Sequence, residues 1–230
     1  ATQPFRVILV ATVALVMGAP FIRGGFGGGD DHRLLLNHVL VNHPSLKHAI
    51  QLFGIVHRDL YQPIPLLSFS AEFAVAQTLG LFRAGVEGGA WLFHLTNIIL
   101  HAVNTVLVYL VIERLHRSCS NSSPPSHSSH SSHSSHSSHL SHPSHPARAS
   151  ELIAAIAAVL FAVHPLQVEV FAWLNGRMML LSTLFALLAM LTFGEWLRHG
   201  SRRWAVAAAV LVTLCMMSKV RAGVPVLLFL

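Results

Sequence analysis

The stretch AWLFHLTNIILHAVNTVLVYLVI, residues 90–112, is the clearest membrane-spanning segment of the chain. As an α-helix it is long enough to cross about 30 Å of hydrocarbon, and Trp91 and Tyr109 lie near its ends, where aromatic anchors are typical. The stretch also carries His94, Asn97, His101 and Asn104. Their spacing of 3, 4 and 3 residues puts all four on one helix face. Because polar side chains are costly in lipid, this face is predicted to look into a helix bundle or a wet cavity.

Two roles are open for this polar face. The four side chains can join helices by hydrogen bonds inside the bundle. Alternatively, one or two of them contact a substrate directly, and in that role His94, Asn97 and His101 would line a polar cavity.

The composition places the whole chain in the helical membrane class. Of 230 residues, 53% are hydrophobic and 10% are charged, with a mean hydropathy of +0.58, whereas soluble domains have roughly 25% charged residues. The net charge of +6 would suit nucleic acid, but Lys and Arg are scattered between apolar runs and form no basic stripe, so nucleic acid is excluded as a partner. Cys119 and Cys215 imply no disulfide framework.

Further apolar runs bring the predicted number of spanning helices to five or six, in an all-α polytopic transmembrane bundle. These runs are residues 5–22, 151–171 across His164-Pro165, 178–196, 204–217 and a last one that begins at Val224. The first run has an alternative interpretation as a cleaved signal peptide. The last run stops at Leu230 in mid-span, so we expect the chain to be part of something longer.

The long connection 23–89 contains one helix that is predicted to lie along the membrane interface. Within residues 64–82, Leu66, Phe69, Phe73 and Ala76 recur at helical spacing among polar residues. If this segment spans the membrane instead, the orientation of every later helix is inverted.

Three regions follow from these patterns. Residues 1–115 hold the first membrane helices with the loop 23–89, residues 116–150 form a Ser/His-rich loop, and residues 151–230 hold further membrane helices. In the middle region seven histidines, from His127 to His145, recur at every third residue, and such a composition predicts a disordered, solvated spacer. Metal collection by this histidine tract is the alternative; elsewhere no metal site is predicted.

The distribution of positive charge predicts the orientation. The N-terminus, the loop 113–151 and the turn 198–203 share one side, and they hold Arg6, Arg114, Arg117, Arg148, Arg198, Arg202 and Arg203. The short loops opposite hold Arg177, Lys219 and Arg221. By the positive-inside rule the histidine tract is therefore cytoplasmic, and the loop 23–89 is extracytoplasmic.

The stretch GGFGGGDDH, residues 24–32, places Asp30 and Asp31 on a glycine turn directly after the first membrane helix. A carboxylate within hydrogen-bond reach can take the proton of an attacking hydroxyl, and repulsion between two adjacent acids raises the pKa of one of them. We interpret this turn as the catalytic edge of a membrane enzyme that acts on a lipid-carried substrate. A glycine turn with two solvated aspartates is the alternative.

Several stretches together carry a resemblance to a known family. Besides Asp30-Asp31 they are YQPIPLLSF (61–69), FHLTNIILHAVN (93–104), FAVHPLQVE (161–169), Gly176-Arg177 with Leu180-Leu181-Ser182, and Ser218-Lys219 with Pro225. In order and spacing the chain resembles the membrane region of the transmembrane and tetratricopeptide-repeat-containing O-mannosyltransferases and their bacterial relatives. These enzymes belong to the GT-C class of polytopic glycosyltransferases.

The resemblance implies transfer of a sugar, expected to be mannose, from a polyprenyl phosphate such as dolichyl-phosphate mannose to a Ser or Thr hydroxyl of an acceptor protein. Asp30 or Asp31 would be the general base, and no cofactor is expected. Arg177, Lys219 and Arg221 would bind the donor phosphate, since the Arg fork suits phosphate, or would snorkel at the interface instead. Tyr61, His164 and Glu169 would orient groups in the site, or His164 would only cap a helix. The location implied is an endoplasmic reticulum or bacterial inner membrane.

Some positions depart from the family pattern. Gln62 stands in place of a basic residue and Met179 in place of an acid. After Ser-Lys, Val220 stands in place of an acid or proline and Arg221 in place of an apolar residue. These departures motivate a second function, a non-catalytic membrane subunit that packs a degenerate glycosyltransferase scaffold against partner membrane subunits. A metal-handling membrane protein is a third, which depends on the histidine tract alone.

Overall fold

The computed structural model describes residues 3–27, 29, 31–56, 61–84, 86–121 and 146–219. Helix is the only regular secondary structure in these residues, in agreement with the predicted all-α class. The α-helices are α1 Gln3–Gly18, α2 Val39–Asn42, α3 Leu46–Leu52, α4 Pro63–Thr78, α5 Ala90–Asn121, α6 Pro146–Val163, α7 Pro165–Ala172, α8 Arg177–His199 and α9 Arg202–Ser218. Short 3₁₀ turns at Ala19–Arg23 and Leu174–Gly176 extend α1 and introduce α8.

Among the described residues, three helical segments are long and apolar enough to cross a membrane: Gln3–Arg23, Ala90–Ser118 and Leu174–His199. The bent pair α6 and α7 makes a fourth if it counts as one span. These segments indicate a membrane protein, with fewer spans than the five or six expected from sequence. The difference has two sources in the described chain: α9 has only 17 residues, and the run 151–171 is bent. The apolar run from Val224 lies outside the described residues.

The bend between α6 and α7 measures 57° and falls at His164-Pro165. Proline has no N–H, so the α6 carbonyl at Phe161 loses its donor. The next N–H, that of Leu166, is bound by His164 Nδ1 at 3.3 Å, which caps α7 at its N-terminus. One continuous helix across residues 151–171 is therefore replaced by a broken span or a re-entrant turn.

Small residues bring α1, α5 and α6 close together. Ala14, Ala102 and Ala162, one from each helix, are buried against one another. A Cβ added to Gly18 would lie 2.5 Å from Ile98 Cγ2 on α5, which is far too close. Such contacts are the usual basis of helix association in lipid, where large side chains gain nothing by leaving the lipid phase. The opposite face of α1, with Phe5, Ile8 and Val16, is exposed and suits contact with acyl chains.

The connection 23–89 is folded onto one end of the bundle. It contains α2 and α3, which no sequence pattern predicted, and α4, which the helical spacing of its apolar residues predicted. On α4 the residues Leu66, Phe69, Phe73 and Ala76 are all buried, as their spacing predicted. Together with Phe26, Leu34, Leu35, Phe93 and Leu174 most of them form one apolar cluster that joins the connection to α5 and to the turn before α8.

The other end of the bundle carries an ionic network, and we call it the basic end. Glu113 on α5 is buried and accepts from Gln3 Nε2 at 2.9 Å and from Arg117 Nη2 at 2.9 Å. Glu151 on α6 pairs with Arg6 and Arg117. These contacts bring the N-terminus, the end of α5 and the start of α6 to one side, as the predicted order of spans requires. Helix reaches into both ends of the segment 116–150, and the histidine tract lies outside the described residues.

Gly176 yields a test of the turn that leads into α8. A Cβ at this position would lie 1.9 Å from the backbone oxygen of Val170, and a backbone atom cannot move aside as a flexible side chain can. We predict that Gly176→Ala lowers the free energy of unfolding by at least about 2 kcal/mol, the range of overpacking defects. Thermal unfolding of the chain in detergent measures this.

The matched control is Gly194→Ala. A Cβ at Gly194 meets no heavy atom within 4 Å, and alanine is the better helix former. Equal stability of the two alanine variants would contradict the close approach at Gly176.

Candidate functional site

Asp31 is buried at the end of the bundle opposite the basic end, and we call this the Asp31 end. Its carboxylate is 1% exposed. Oδ2 accepts from the Gly27 N–H at 3.0 Å, and Oδ1 accepts from the Asn175 N–H at 3.3 Å. Backbone donors of this kind stabilise the ionised carboxylate. Asp31 thus fastens the glycine turn after α1 to the turn before α8. Asp30 lies outside the described residues.

The glycine turn passes directly over the start of the polar face of α5. His94 Nε2 lies 3.1 Å from the backbone oxygen of Gly25, a contact that requires the proton on Nε2 because a carbonyl only accepts. A Cβ at Gly24 would lie 2.8 Å from His94 Nε2. Glycine at position 24 therefore lets the main chain reach the histidine.

Arg177, the first residue of α8, is completely buried. Nε donates to Asn97 Oδ1 at 2.8 Å, Nη2 donates to the Phe93 oxygen at 2.8 Å, and Nη1 pairs with Glu72 of α4. The guanidinium also stacks on Phe69, 4.1 Å from the ring centre. Each of its three nitrogens has a partner inside the protein.

The whole polar face of α5 is buried, as the spacing of its residues predicted. Asn97 Nδ2 donates to the Trp173 and Leu174 oxygens at 3.2 and 3.3 Å, and Asn104 Nδ2 donates to the Leu180 oxygen at 2.9 Å. His101 Nε2 lies 3.2 Å from the Ala162 oxygen, a carbonyl that the bend at Pro165 leaves without its helical donor. Each of these side chains binds main chain outside α5, from the turn before α8, from α8 or from α6, so the face joins the bundle.

Three side chains on this face each have one buried polar atom that forms no hydrogen bond with the described residues. His94 Nδ1, His101 Nδ1 and Asn104 Oδ1 are buried and have no hydrogen-bond partner among the described residues. Because Nε2 carries the proton in each of the two imidazoles, the Nδ1 atoms of His94 and His101 are acceptors. The polar-cavity role expected of this face therefore retains three acceptors that can receive a donor.

Lys219 follows α9 and lies at the Asp31 end. Its Nζ is 2.9 Å from the Met179 sulfur, a weak acceptor. Since Met179 is two residues from Arg177, two of the three cations predicted to bind phosphate, Arg177 and Lys219, are at the same end as Asp31. Arg221 lies outside the described residues.

Three residues predicted for the site, Tyr61, His164 and Glu169, lie outside the group of side chains around Asp31 and Arg177. His164 and Glu169 are exposed at the bend and on α7, and His164 acts as a helix cap, one of the two roles considered for it. The Tyr61 hydroxyl donates to the Phe53 oxygen at 3.0 Å and so fixes the approach to α4. No contact in the described chain joins these side chains to Asp31 or Arg177.

Two functional contacts were missed from sequence. Glu72 is one of the polar residues that interrupt the apolar segment 64–82, yet it is the carboxylate partner of Arg177. Asn175 contributes through its main-chain N–H, which no side-chain pattern reveals. Glu72 did offer a signal, because an acid on the buried-face side of an amphipathic helix calls for a cation.

Within the described ranges, no group of three or more His, Cys, Asp and Glu side chains is arranged to hold a metal ion. The histidines 127–145 lie outside those ranges, so the metal interpretation of that tract stays a hypothesis. Comparison with known proteins finds no matching family model, no similar curated protein and no similar solved structure.

The buried ion pair yields a test. Replacing Arg177 with Met removes the cation but leaves the Glu72 carboxylate, whose side chain is 12% exposed, without its partner. We predict a loss of about 3–5 kcal/mol in unfolding free energy, measured by denaturant titration in detergent. The double variant Arg177→Met, Glu72→Met is expected to recover much of that loss, since no buried charge remains.

Arg114→Met is the matched control. It breaks the pair with Glu195 at the basic end, where the Arg114 side chain is 44% exposed, and exposed pairs contribute about 1 kcal/mol or less. If Arg177→Met costs no more than Arg114→Met, the buried pair does not organise the Asp31 end.

Proposed function

We propose that the chain is the membrane region of a GT-C-like glycosyltransferase that transfers a sugar, expected to be mannose, from a polyprenyl-phosphate donor to a protein Ser or Thr hydroxyl. One observation carries the proposal. A buried acid, Asp31, fixes the glycine turn at the same end of the bundle as Arg177 and Lys219. An acid and cations at one membrane face are what this reaction requires.

The reaction has two electrostatic demands. The hydroxyl oxygen bonds to the anomeric carbon and loses its proton to a base, while the bond from that carbon to the phosphate oxygen breaks. The departing lipid phosphate gains negative charge, which a nearby cation stabilises. A site of this type therefore needs an acid facing the acceptor and a cation facing the donor.

We divide the two acids by their surroundings. Both carboxylate oxygens of Asp31 accept main-chain N–H groups and the side chain is 1% exposed, so Asp31 serves mainly to position the turn. The base is then Asp30, its neighbour in sequence.

The two cations of this end, Arg177 and Lys219, also receive different roles. Arg177 is held by Asn97, Phe93 and Glu72, and in the proposed enzyme it fixes α4 and α5 against α8. Lys219, whose Nζ lies 2.9 Å from the Met179 sulfur at the Asp31 end, is the cation that we assign to the donor phosphate.

A second candidate, the non-catalytic membrane subunit, is favoured by one observation. The guanidinium of Arg177 has a protein partner at every nitrogen, which is the arrangement of a structural element that binds no ligand. In that case the Asp31 end supports a partner subunit, and the exposed apolar faces of the bundle bind partner helices.

Single substitutions of the two acids test the assignment. We expect Asp30→Asn to abolish transfer of labelled mannose from a polyprenyl-phosphate donor to a Ser/Thr peptide, with an unchanged melting temperature. Asp31→Asn is expected to reduce transfer and also to lower unfolding free energy by about 1–3 kcal/mol, because an amide NH₂ then faces a main-chain N–H. The full chain is assayed in liposomes, with thermal unfolding measured in parallel.

Glu195→Gln is the control, since Glu195 pairs with Arg114 and His199 at the basic end. It is expected to preserve transfer and to change the unfolding free energy by about 1 kcal/mol or less. Full transfer by the double variant Asp30→Asn, Asp31→Asn would refute the enzyme. No transfer by the unaltered chain, together with a copurifying membrane protein, would support the subunit function.

A further inference from the structure

A cavity of about 590 Å³ lies between α5 and α8 at the basic end, far from Asp31. Its wall is mainly apolar and includes Val111 and Leu115 from α5 with Met190, Leu191 and Phe193 from α8. The volume falls within the range of ligand-binding pockets, about 300–1,000 Å³. Both helices belong to segments that can cross a membrane, so the apolar part of this cavity is at the depth of acyl chains.

The rim of the cavity is charged and has a surplus of cations. Arg114 pairs with Glu195 at 2.9 Å, and His199 Nε2 is 3.3 Å from the other oxygen of Glu195. The one carboxylate of the rim therefore already has two partners. Arg198 Nη2 donates to Ser118 Oγ at 3.2 Å and forms no ion pair with a carboxylate among the described residues.

Gly194 opens the wall of this cavity. It is in the interior of α8, where glycine costs about 1 kcal/mol relative to alanine. A Cβ there would meet no heavy atom within 4 Å, so no close approach of another helix requires the glycine. Its effect is to leave space beside Phe193 and Glu195.

We propose that this cavity binds a phospholipid with an anionic head group. One acyl chain occupies the apolar wall beside Gly194, and the phosphate and its head group lie at the rim against Arg198 and Arg114. The charge complementarity decides the class of ligand, because a cationic rim at the end of an apolar groove matches an anionic lipid. The predicted orientation agrees with this, since anionic lipids are enriched in the cytoplasmic leaflet. The site does not depend on glycosyl transfer.

The test compares phosphatidylglycerol with phosphatidylcholine as added lipids. Binding to the purified full chain is measured by native mass spectrometry from detergent, and the shift in melting temperature is recorded for each lipid. We expect phosphatidylglycerol to bind at least about fivefold more tightly, which is the effect of one arginine near an anionic lipid.

Two pairs of variants locate the site. Gly194→Leu fills the open space without a clash, so the chain should fold normally and lose the preference for phosphatidylglycerol, while Gly194→Ala retains it. Arg198→Gln is expected to weaken phosphatidylglycerol binding about fivefold. Arg202→Gln, an exposed arginine of the next helix that does not line the cavity, is expected to leave binding unchanged.

Equal binding of the two lipids, or unchanged phosphatidylglycerol binding in Gly194→Leu, would overturn the proposal. A photo-crosslinking residue in place of Leu115, which lines the cavity and is 55% exposed, identifies the occupant directly. An adduct with phospholipid supports the proposal. An adduct with residues 122–145 or 220–230 of the chain, or with another protein, would overturn it.

Discussion

The buried guanidinium of Arg177 is the constraint on which the Asp31 end depends. An ionised group in a low-dielectric interior is tolerated only when it is paired and hydrogen-bonded, and here Arg177 and its partners join three separate helices. Glu72 belongs to α4, Asn97 to α5, and Arg177 itself begins α8. The need to neutralise this one charge therefore brings the long connection 23–89 back onto the bundle, where its apolar face is buried with Phe69 against the guanidinium.

The position of Asp31 follows from that constraint. Asn175, whose N–H binds the carboxylate, is two residues before Arg177, and the Leu174 carbonyl in the same turn accepts from Asn97. Asn97 thus links the cation to the turn that seats the acid. A change in the ion pair would move the acid as well, so the charged groups of this end act as one unit. Non-additive effects are expected of such a unit.

Sequence patterns predicted the buried faces whose residues recur at helical spacing, and they missed the contacts between residues that are far apart in the chain. The buried stripe His94, Asn97, His101 and Asn104 and the apolar face of α4 both follow helical spacing. The pairing of Glu72 with Arg177 joins residues 105 positions apart, and nothing local specifies it. The glycine-rich stretch could not show that Asp31 is buried, because the Asn175 main-chain N–H that binds it is 144 residues away. His164-Pro165 indicated a helix end, but composition alone could not show that the run would bend instead of spanning straight.

Glycines have different roles at the two ends of the bundle. At Gly18, Gly24 and Gly176 an added Cβ would meet another part of the protein within 3 Å, so each glycine is explained by a close approach that holds the helices and the acid-bearing turn together. Gly194 has no such neighbour, and its loss of helix propensity is not offset by packing. The space that Gly194 leaves belongs to the wall of the cavity at the basic end. At the Asp31 end the charges of Asp31 and Arg177 are bound inside the protein, whereas at the basic end Arg198 and the open wall beside Gly194 present an apolar and cationic surface whose complement is a lipid.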